Sequence, residues 1–165
     1  MFDSIKWIFF DVGSPIVDEH LAYEHRMREI ADLSNTSYSS VYETAMGFYK
    51  QNKKGGLETS KLLGVELTEW HKEDEILYDD TDKCLELLSS KYKIGIIANQ
   101  SLGTKERLEQ HGVLQYFDLV VASAEEGVAK PDKRIFEIAL ERADCVVQSL
   151  TEISNILNEL YIPEN

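Results

Sequence analysis

The chain has 165 residues, of which 43% are hydrophobic, and a formal net charge of −13 from 17 basic and 30 acidic side chains. That length suits one ordinary domain, or a domain with a small appendage, and the apolar fraction suffices for a core. The acidity excludes a nucleic-acid surface and an anionic-membrane surface, both of which need clustered Lys and Arg. A small anionic ligand stays compatible with a local convergence of Lys and backbone amides.

The first apolar run, "IKWIFFD" at residues 5–11, predicts a buried strand closed by Asp11 and a Gly-Ser-Pro turn. About eighty residues of helical periodicity follow. Residues 18–33 repeat apolar positions at Leu21, Met27, Ile30 and Leu33, and residues 38–52 do so at Val41, Ala45, Phe48 and Tyr49. "NKKGG" at 52–56 breaks the pattern. Asp82–Ser90 predicts a helix that feeds a second strand, "KIGIIA" at 93–98. Thr104 reads as an N-cap and Gly112 as the C′ residue of the next helix. "DLVVA" at 118–122 predicts a third strand, and Pro131 opens a helix with a stripe of Ile135, Ile138, Ala139 and Leu140. "SLTE" at 149–152 is a capping box for a last helix through Leu160.

Strands that are apolar throughout imply a sheet covered on both faces, hence a parallel one. No run approaches the roughly 18 apolar residues of a spanning helix, and "WIFF" is too short for the apolar core of a secretory leader. Cys84 and Cys145 lie far apart and form no metal motif. These features predict a reduced, cytoplasmic protein.

Three residues then fall at strand ends: Asp11 after the first strand, Asn99 after the second and Lys130 after the third. In a doubly wound sheet those ends share one crevice. A carboxylate, an amide and an ammonium together suit a covalent aspartyl intermediate. The ordered set "FFDVGS", "IGIIANQS" and "YFDLVVASAEEGVAKPDKRIFEIALERA", with the helical insertion, resembles the haloacid dehalogenase-like superfamily, in particular its phosphatase-type members. The resemblance implies a three-layer, Rossmann-like α/β core over residues 1–15 and 81–165, and a helical cap over 16–80. It implies that Asp11 is the nucleophile, and with the Gly13 carbonyl a magnesium ligand. Lys130 braces Asp11 and the transferring group. Asn99, Gly13 and Ser14 face the substrate phosphate, and a small phosphorylated metabolite is the expected partner.

The departures bear on activity. The family pattern has a second Asp and a Thr where this chain has Gly13 and Pro15, and a hydroxyl residue where it has Ala98, leaving Ser14 or Ser101 as the hydroxyl donor. "ERADC" runs straight into "VVQSLTEISNIL", so the strand and acidic loop of the family's fourth motif are expected to be missing, with a seam near Ala143–Val147. Two consequences follow: a weak Mg2+ site, and an apolar edge at residues 5–10 open to pairing with a second copy, with the "CVV" at 145–147 as partial cover.

Other polar groups have plainer readings. His71 in "EWHKEDE" reads as part of a solvated acidic linker, because no second histidine is near it in sequence. His20 and His25 read as surface residues, "LYDDTD" at 77–82 as an N-terminal cap, and Cys84 and Trp7 as core. The leading function is phosphomonoester hydrolysis through an aspartyl-phosphate on Asp11, impaired by the missing groups. The alternative is a non-catalytic binding or assembly module on the same scaffold. Dehalogenase-type chemistry ranks lower, and a phospho-receiver last.

Overall fold

The computed structural model describes residues 5–51 and 53–143. In chain order the elements are β1 (Trp7–Phe10), β2 (Val17–Asp18), α1 (His20–Ser34), α2 (Tyr38–Tyr49), α3 (Gly55–Leu63), β3 (Ile76–Leu77), α4 (Thr81–Ser89), β4 (Lys93–Ala98), α5 (Thr104–Gln110), β5 (Leu119–Ala122), α6 (Ser123–Glu126) and α7 (Lys133–Arg142). Single 3-10 turns lie at Lys72–Asp74 and Leu114–Tyr116. The chain divides into two compact units, one running to Ile16 and resuming at Asp79, the other Val17–Tyr78.

The first unit holds a parallel sheet in the order β1-β4-β5. Its register runs from Trp7 opposite Lys93 to Phe10 opposite Ile96, and from Gly95 opposite Leu119 to Ala98 opposite Ala122. β4 is the middle strand, and Ile94, Ile96, Ile97 and Ala98 are all buried, which explains its unbroken apolar sequence. Gly95 sits within it because the Phe9 ring lies where a Cβ would stand. Helix α7 lays Ile135 and Ala139 against Ile97 and Val121, with Phe136 and Ile138 at the margin. Asp118 extends the β4–β5 pairing: its carboxylate accepts from Ile94 N at 3.0 Å, and its own N–H donates to Ile94 O at 2.8 Å.

β1 is an edge strand among the described residues and is half-buried along its length. Trp7 is therefore not the core filler that its size suggests. It stacks on Phe9 at 5.4 Å, and the Lys93 ammonium lies over its ring. The expected "CVV" segment, Cys145, the seam and the helix opened by "SLTE" lie outside the described residues, except for Ala143, which closes α7.

The second unit is helical, with the short antiparallel pair β2–β3 where the insertion begins and ends. Its core is Met27, Ile30 and Ala31 of α1 against Val41 and Ala45 of α2. Leu21 and Leu33, expected in the α1 stripe, are exposed; the buried face runs instead through Ala22, Arg26, Met27, Ile30 and Ala31. Ser37 caps α2 by accepting from Ser40 N. A Cβ at Gly55 would stand 2.5 Å from the Ala45 carbonyl oxygen and 2.4 Å from the Tyr49 ring. Backbone cannot swing aside as a side chain can, so Gly55→Ala is expected to destabilise this unit by about 1–3 kcal/mol, read as a lower denaturation midpoint at constant m-value.

A buried ion pair ties the segment after α3 to α1. The Arg26 guanidinium bonds Glu29 Oε2 at 2.5 Å and the carbonyls of Thr68 and Glu69 at 3.1 and 2.7 Å. Thr68 N donates to Glu29 Oε1 at 2.9 Å. Burial alone would push the Glu29 carboxyl up, but hydrogen bonding by Thr68 and the charge of Arg26 outweigh it and leave it below its ordinary value. The stabilisation is thus present above the unfolded-state value and is lost as pH falls through the lower folded one.

Three local expectations change. Gly103, not Thr104, is the N-cap of α5; Thr104 is the first helical residue and is fully buried, its hydroxyl donating to Ser101 O at 2.8 Å. Asp80 precedes α4 without a side-chain capping bond, and Asp82 instead accepts from the Tyr116 hydroxyl at 2.8 Å. Cys84 lies on the exposed side of α4. Gly112 does take the left-handed conformation expected of a C′ residue (φ 74).

Candidate active site

Asp11 is the first residue beyond β1. Its Oδ1 accepts from the N–H of Val12 at 2.9 Å, and its Oδ2 receives the Lys130 ammonium at 2.6 Å. The turn that follows closes through Ile16 N to Val12 O at 3.2 Å and carries Ser14 at φ 72. A serine in left-handed backbone carries strain, and such strain concentrates at functional turns. Buried Val12 and Ile16 bracket the turn and fix it to the unit. The Thr81 hydroxyl adds a bond to Ile16 O at 3.1 Å.

Asn99 follows β4. Its side-chain amide donates to Lys130 O at 2.9 Å, and its Oδ1 accepts from Lys130 N at 2.7 Å. The two bonds clamp the Lys130 peptide to the end of β4. Asn99 thus holds the lysine that holds Asp11: Asp11 and Asn99 directly follow β1 and β4, Lys130 stands beyond α6, and the three form one chain of contacts. Asn99→Ala removes both bonds at an exposed site, about 1–2 kcal/mol of positioning. Turnover is then expected to fall about tenfold with an unchanged circular dichroism spectrum.

The neighbouring loop is anchored by residues that the sequence did not single out. Gln100 O accepts from the Ser123 hydroxyl and from Ala124 N, each at 3.2 Å, and the Arg107 guanidinium bonds the Gln100 side chain. These bonds join the end of β4 to the start of α6, and only a three-dimensional register reveals them. Gly127, left-handed at φ 69, ends α6 and turns the chain toward Lys130. Asp132 then caps α7 by accepting from Arg134 N at 2.9 Å.

Ser14 and Ser101 are both exposed. Among the described residues no hydrogen bond joins either hydroxyl to Asp11, Asn99 or Lys130. Ala98, where a hydroxyl residue was expected, is fully buried.

The side chain of Asp11 is 45% exposed and that of Lys130 24%. Water screens such a pair, so its contribution to stability is at most about 1 kcal/mol. Its consequence is orientation: the Lys130 ammonium fixes one carboxylate oxygen and the Val12 N–H the other, beside a fixed positive charge. That arrangement can present a nucleophilic oxygen to an anionic centre and neutralise the charge that builds there.

Mg2+ demands near-octahedral oxygen ligation. Among the described residues Asp11 joins no group of metal-binding side chains. One carboxylate and the Gly13 carbonyl do not by themselves fit the ion.

Comparison with known proteins bears on the family. The family model for haloacid dehalogenase-like hydrolases matches residues 5–148. The chain is 29% identical over 157 residues to the glyceraldehyde 3-phosphate phosphatase of Methanothermobacter thermautotrophicus, covering 92% of this chain and 66% of that protein. It is 50% identical over 60 residues to the pyrimidine 5'-nucleotidase YjjG of Escherichia coli, covering 36% of this chain and 27% of that one. The chain thus spans just under two thirds of the first relative's length. In fold it is similar to an HAD phosphatase from Thermococcus onnurineus (TM-score 0.64, 22% identity, 85% of this chain and 72% of that one). A strand-end aspartate braced by a lysine, on a parallel sheet matched by the family model almost from end to end, places the chain in the haloacid dehalogenase-like hydrolase family.

Proposed function

We propose that the protein hydrolyses small phosphomonoesters weakly, through an aspartyl-phosphate on Asp11. The observation that carries this reading is the 2.6 Å contact between Lys130 and Asp11, with Asn99 clamping the lysine's own peptide. The free face of the Asp11 carboxylate attacks phosphorus in line with the ester oxygen. The new bond joins the Asp11 oxygen to phosphorus, and the bond from phosphorus to the ester oxygen breaks. Water then attacks the acyl phosphate, releases inorganic phosphate and regenerates the carboxylate. Throughout, Lys130 offsets the negative charge on the transferring group, and backbone amides of the turn around Gly13 and Ser14 receive its oxygens. The two relatives, a glyceraldehyde 3-phosphate phosphatase and a pyrimidine 5'-nucleotidase, support phosphate-ester hydrolysis as the reaction type.

Family members generally use Mg2+, whose chemistry when bound is to polarise the phosphoryl oxygens. The described residues fit it poorly, so no step here depends on it. Gly13 stands where the family pattern has the acid that protonates the leaving oxygen. Its loss alone slows such a reaction by about 10²- to 10⁴-fold. The substrate class therefore narrows to esters whose leaving group departs without a proton. Val17–Tyr78 serves in this reading as the cap that excludes water from the substrate. The test is hydrolysis of an aryl phosphate set against an alkyl phosphate. The aryl ester should turn over slowly and the alkyl ester hardly at all, whereas equal, fast turnover of both would refute impairment.

A second reading rests on β1. Among the described residues it is a half-buried edge, with Trp7 stacked on Phe9, and this supports pairing with a second copy of the chain. Sedimentation across a concentration series should then show a dimer, and a strict monomer would remove that reading.

A further inference from the structure

Folding of the helical unit brings together two histidines that are far apart in sequence. His25 lies on α1, and His71 precedes the 3-10 turn Lys72–Asp74. Their rings stack with centroids 3.7 Å apart and planes 10° from parallel. One ligand atom from each of His25, His71, Glu73 and Asp74 falls within 4.8 Å of the others. His25 Nδ1 pairs with Asp74 Oδ2 at 2.8 Å, across 49 residues of chain. His71 Nδ1 lies 3.4 Å from Glu73 Oε1. The reading of His71 as a solvated linker residue fails here, because its side chain is only 11% exposed and its second histidine comes from another element.

His71 Nε2 is the informative atom. It is buried and makes no hydrogen bond; Glu29 Oε2 lies 3.5 Å away, close enough for a weak electrostatic contact but not for a directed bond. A buried imidazole nitrogen normally has a partner. Glu29 itself is held fast by Arg26 and Thr68, and a small shift of the His71 ring would let Nε2 donate to it, as in sites where a carboxylate orients a ligating imidazole. We propose that His25, His71, Glu73 and Asp74 form a structural site for a divalent transition metal, Zn2+ by preference, that pins the His71–Asp74 turn to α1.

The donor types select the ion. Two imidazoles and two carboxylates suit Zn2+, which takes four ligands at about 2.0–2.2 Å, whereas Mg2+ and Ca2+ favour oxygen alone. Ligand atoms already within 4.8 Å reach a tetrahedron by local adjustment: His25 Nδ1 and Asp74 Oδ2, at 2.8 Å, move apart, the wider pairs close in, and the two rings turn out of their stack so that each points a nitrogen at the ion. The main core cluster of the unit is small, five buried apolar side chains, and a small scaffold gains much from a metal staple. This site belongs to the helical unit and is independent of the chemistry proposed at Asp11.

The test is calorimetric titration of the untagged full chain with Zn2+, and with Co2+ to read the visible bands of a four-coordinate ion. His25 and Asp74 are partly exposed, at 49% and 29% of their side chains, so His25→Asn and Asp74→Asn should fold. One Zn2+ should bind per chain and raise the unfolding temperature of the wild type. Each variant should bind at least about tenfold more weakly and lose the thermal shift, while His111→Asn, in the other unit, should bind like the wild type. No Zn2+ binding to the wild type, or equal binding to wild type and His25→Asn, would overturn the proposal.

Discussion

Asp11→Asn is expected to remove aryl-phosphate turnover by about 10³-fold or more, since an amide oxygen is too poor a nucleophile to form the acyl phosphate. The substitution keeps the shape of the side chain. An amide oxygen can still accept from Val12 N–H, as Asp11 Oδ1 does at 2.9 Å. Its NH2 group then faces the Lys130 ammonium, so a 2.6 Å attraction is replaced by donor against donor. Lys130 remains clamped through its peptide by Asn99. Stability should change by no more than about 1 kcal/mol, as expected for a half-exposed pair. Loss of activity with an unchanged denaturation midpoint therefore isolates the nucleophile. Equal residual activity in both proteins would remove Asp11 from that role.

Gly13→Asp should act in the opposite direction. It places a carboxyl group two residues beyond the nucleophile, where it can protonate a departing alkoxide and afterwards take a proton from the attacking water. General acid catalysis contributes about 10²- to 10⁴-fold, so the gain in kcat should approach that range for an alkyl phosphate. For an aryl phosphate the gain should be much smaller, because a phenolate leaves without help. Gly13 is half-buried, so a side chain there keeps access to solvent. The contrast between the two leaving groups is the signature. A gain that is the same for both would point to a change in binding, and no gain on either ester, in a folded variant, would contradict the view that the acid is what the turn lacks.

Much of the sheet unit was legible because local and long-range signals agreed. "KIGIIA" is apolar at nearly every position, and only a strand covered on both faces needs that; β4 is such a strand, with neighbours on both sides. The meeting of Asp11 and Asn99 followed from their positions at strand ends, since a parallel sheet gathers those ends along one margin; Lys130 joins them from beyond α6, not from the end of β5. What stayed hidden depended on partners distant in sequence. Trp7 reads as core by size, yet it lies on an edge strand among the described residues. Leu21 and Leu33 satisfy a helical period, but Arg26 takes the buried place on α1 because Glu29 and two carbonyls from the 68–69 segment satisfy its charge. The pairing of His25 with His71 follows no local pattern at all. Nor does the anchoring of Gln100 by Ser123 and Arg107, which fixes the loop that carries Asn99.

The most direct test of the account is to look for the covalent intermediate. The chain is incubated with a reactive acyl or aryl phosphate, quenched in acid, digested and mapped by mass spectrometry. A single phosphoryl group on Asp11 is predicted, absent from Asp11→Asn and chased away by time in water. A phosphoryl group on another residue, or turnover that persists in Asp11→Asn without any adduct, would contradict the central claim that Asp11 is the group that receives the phosphate.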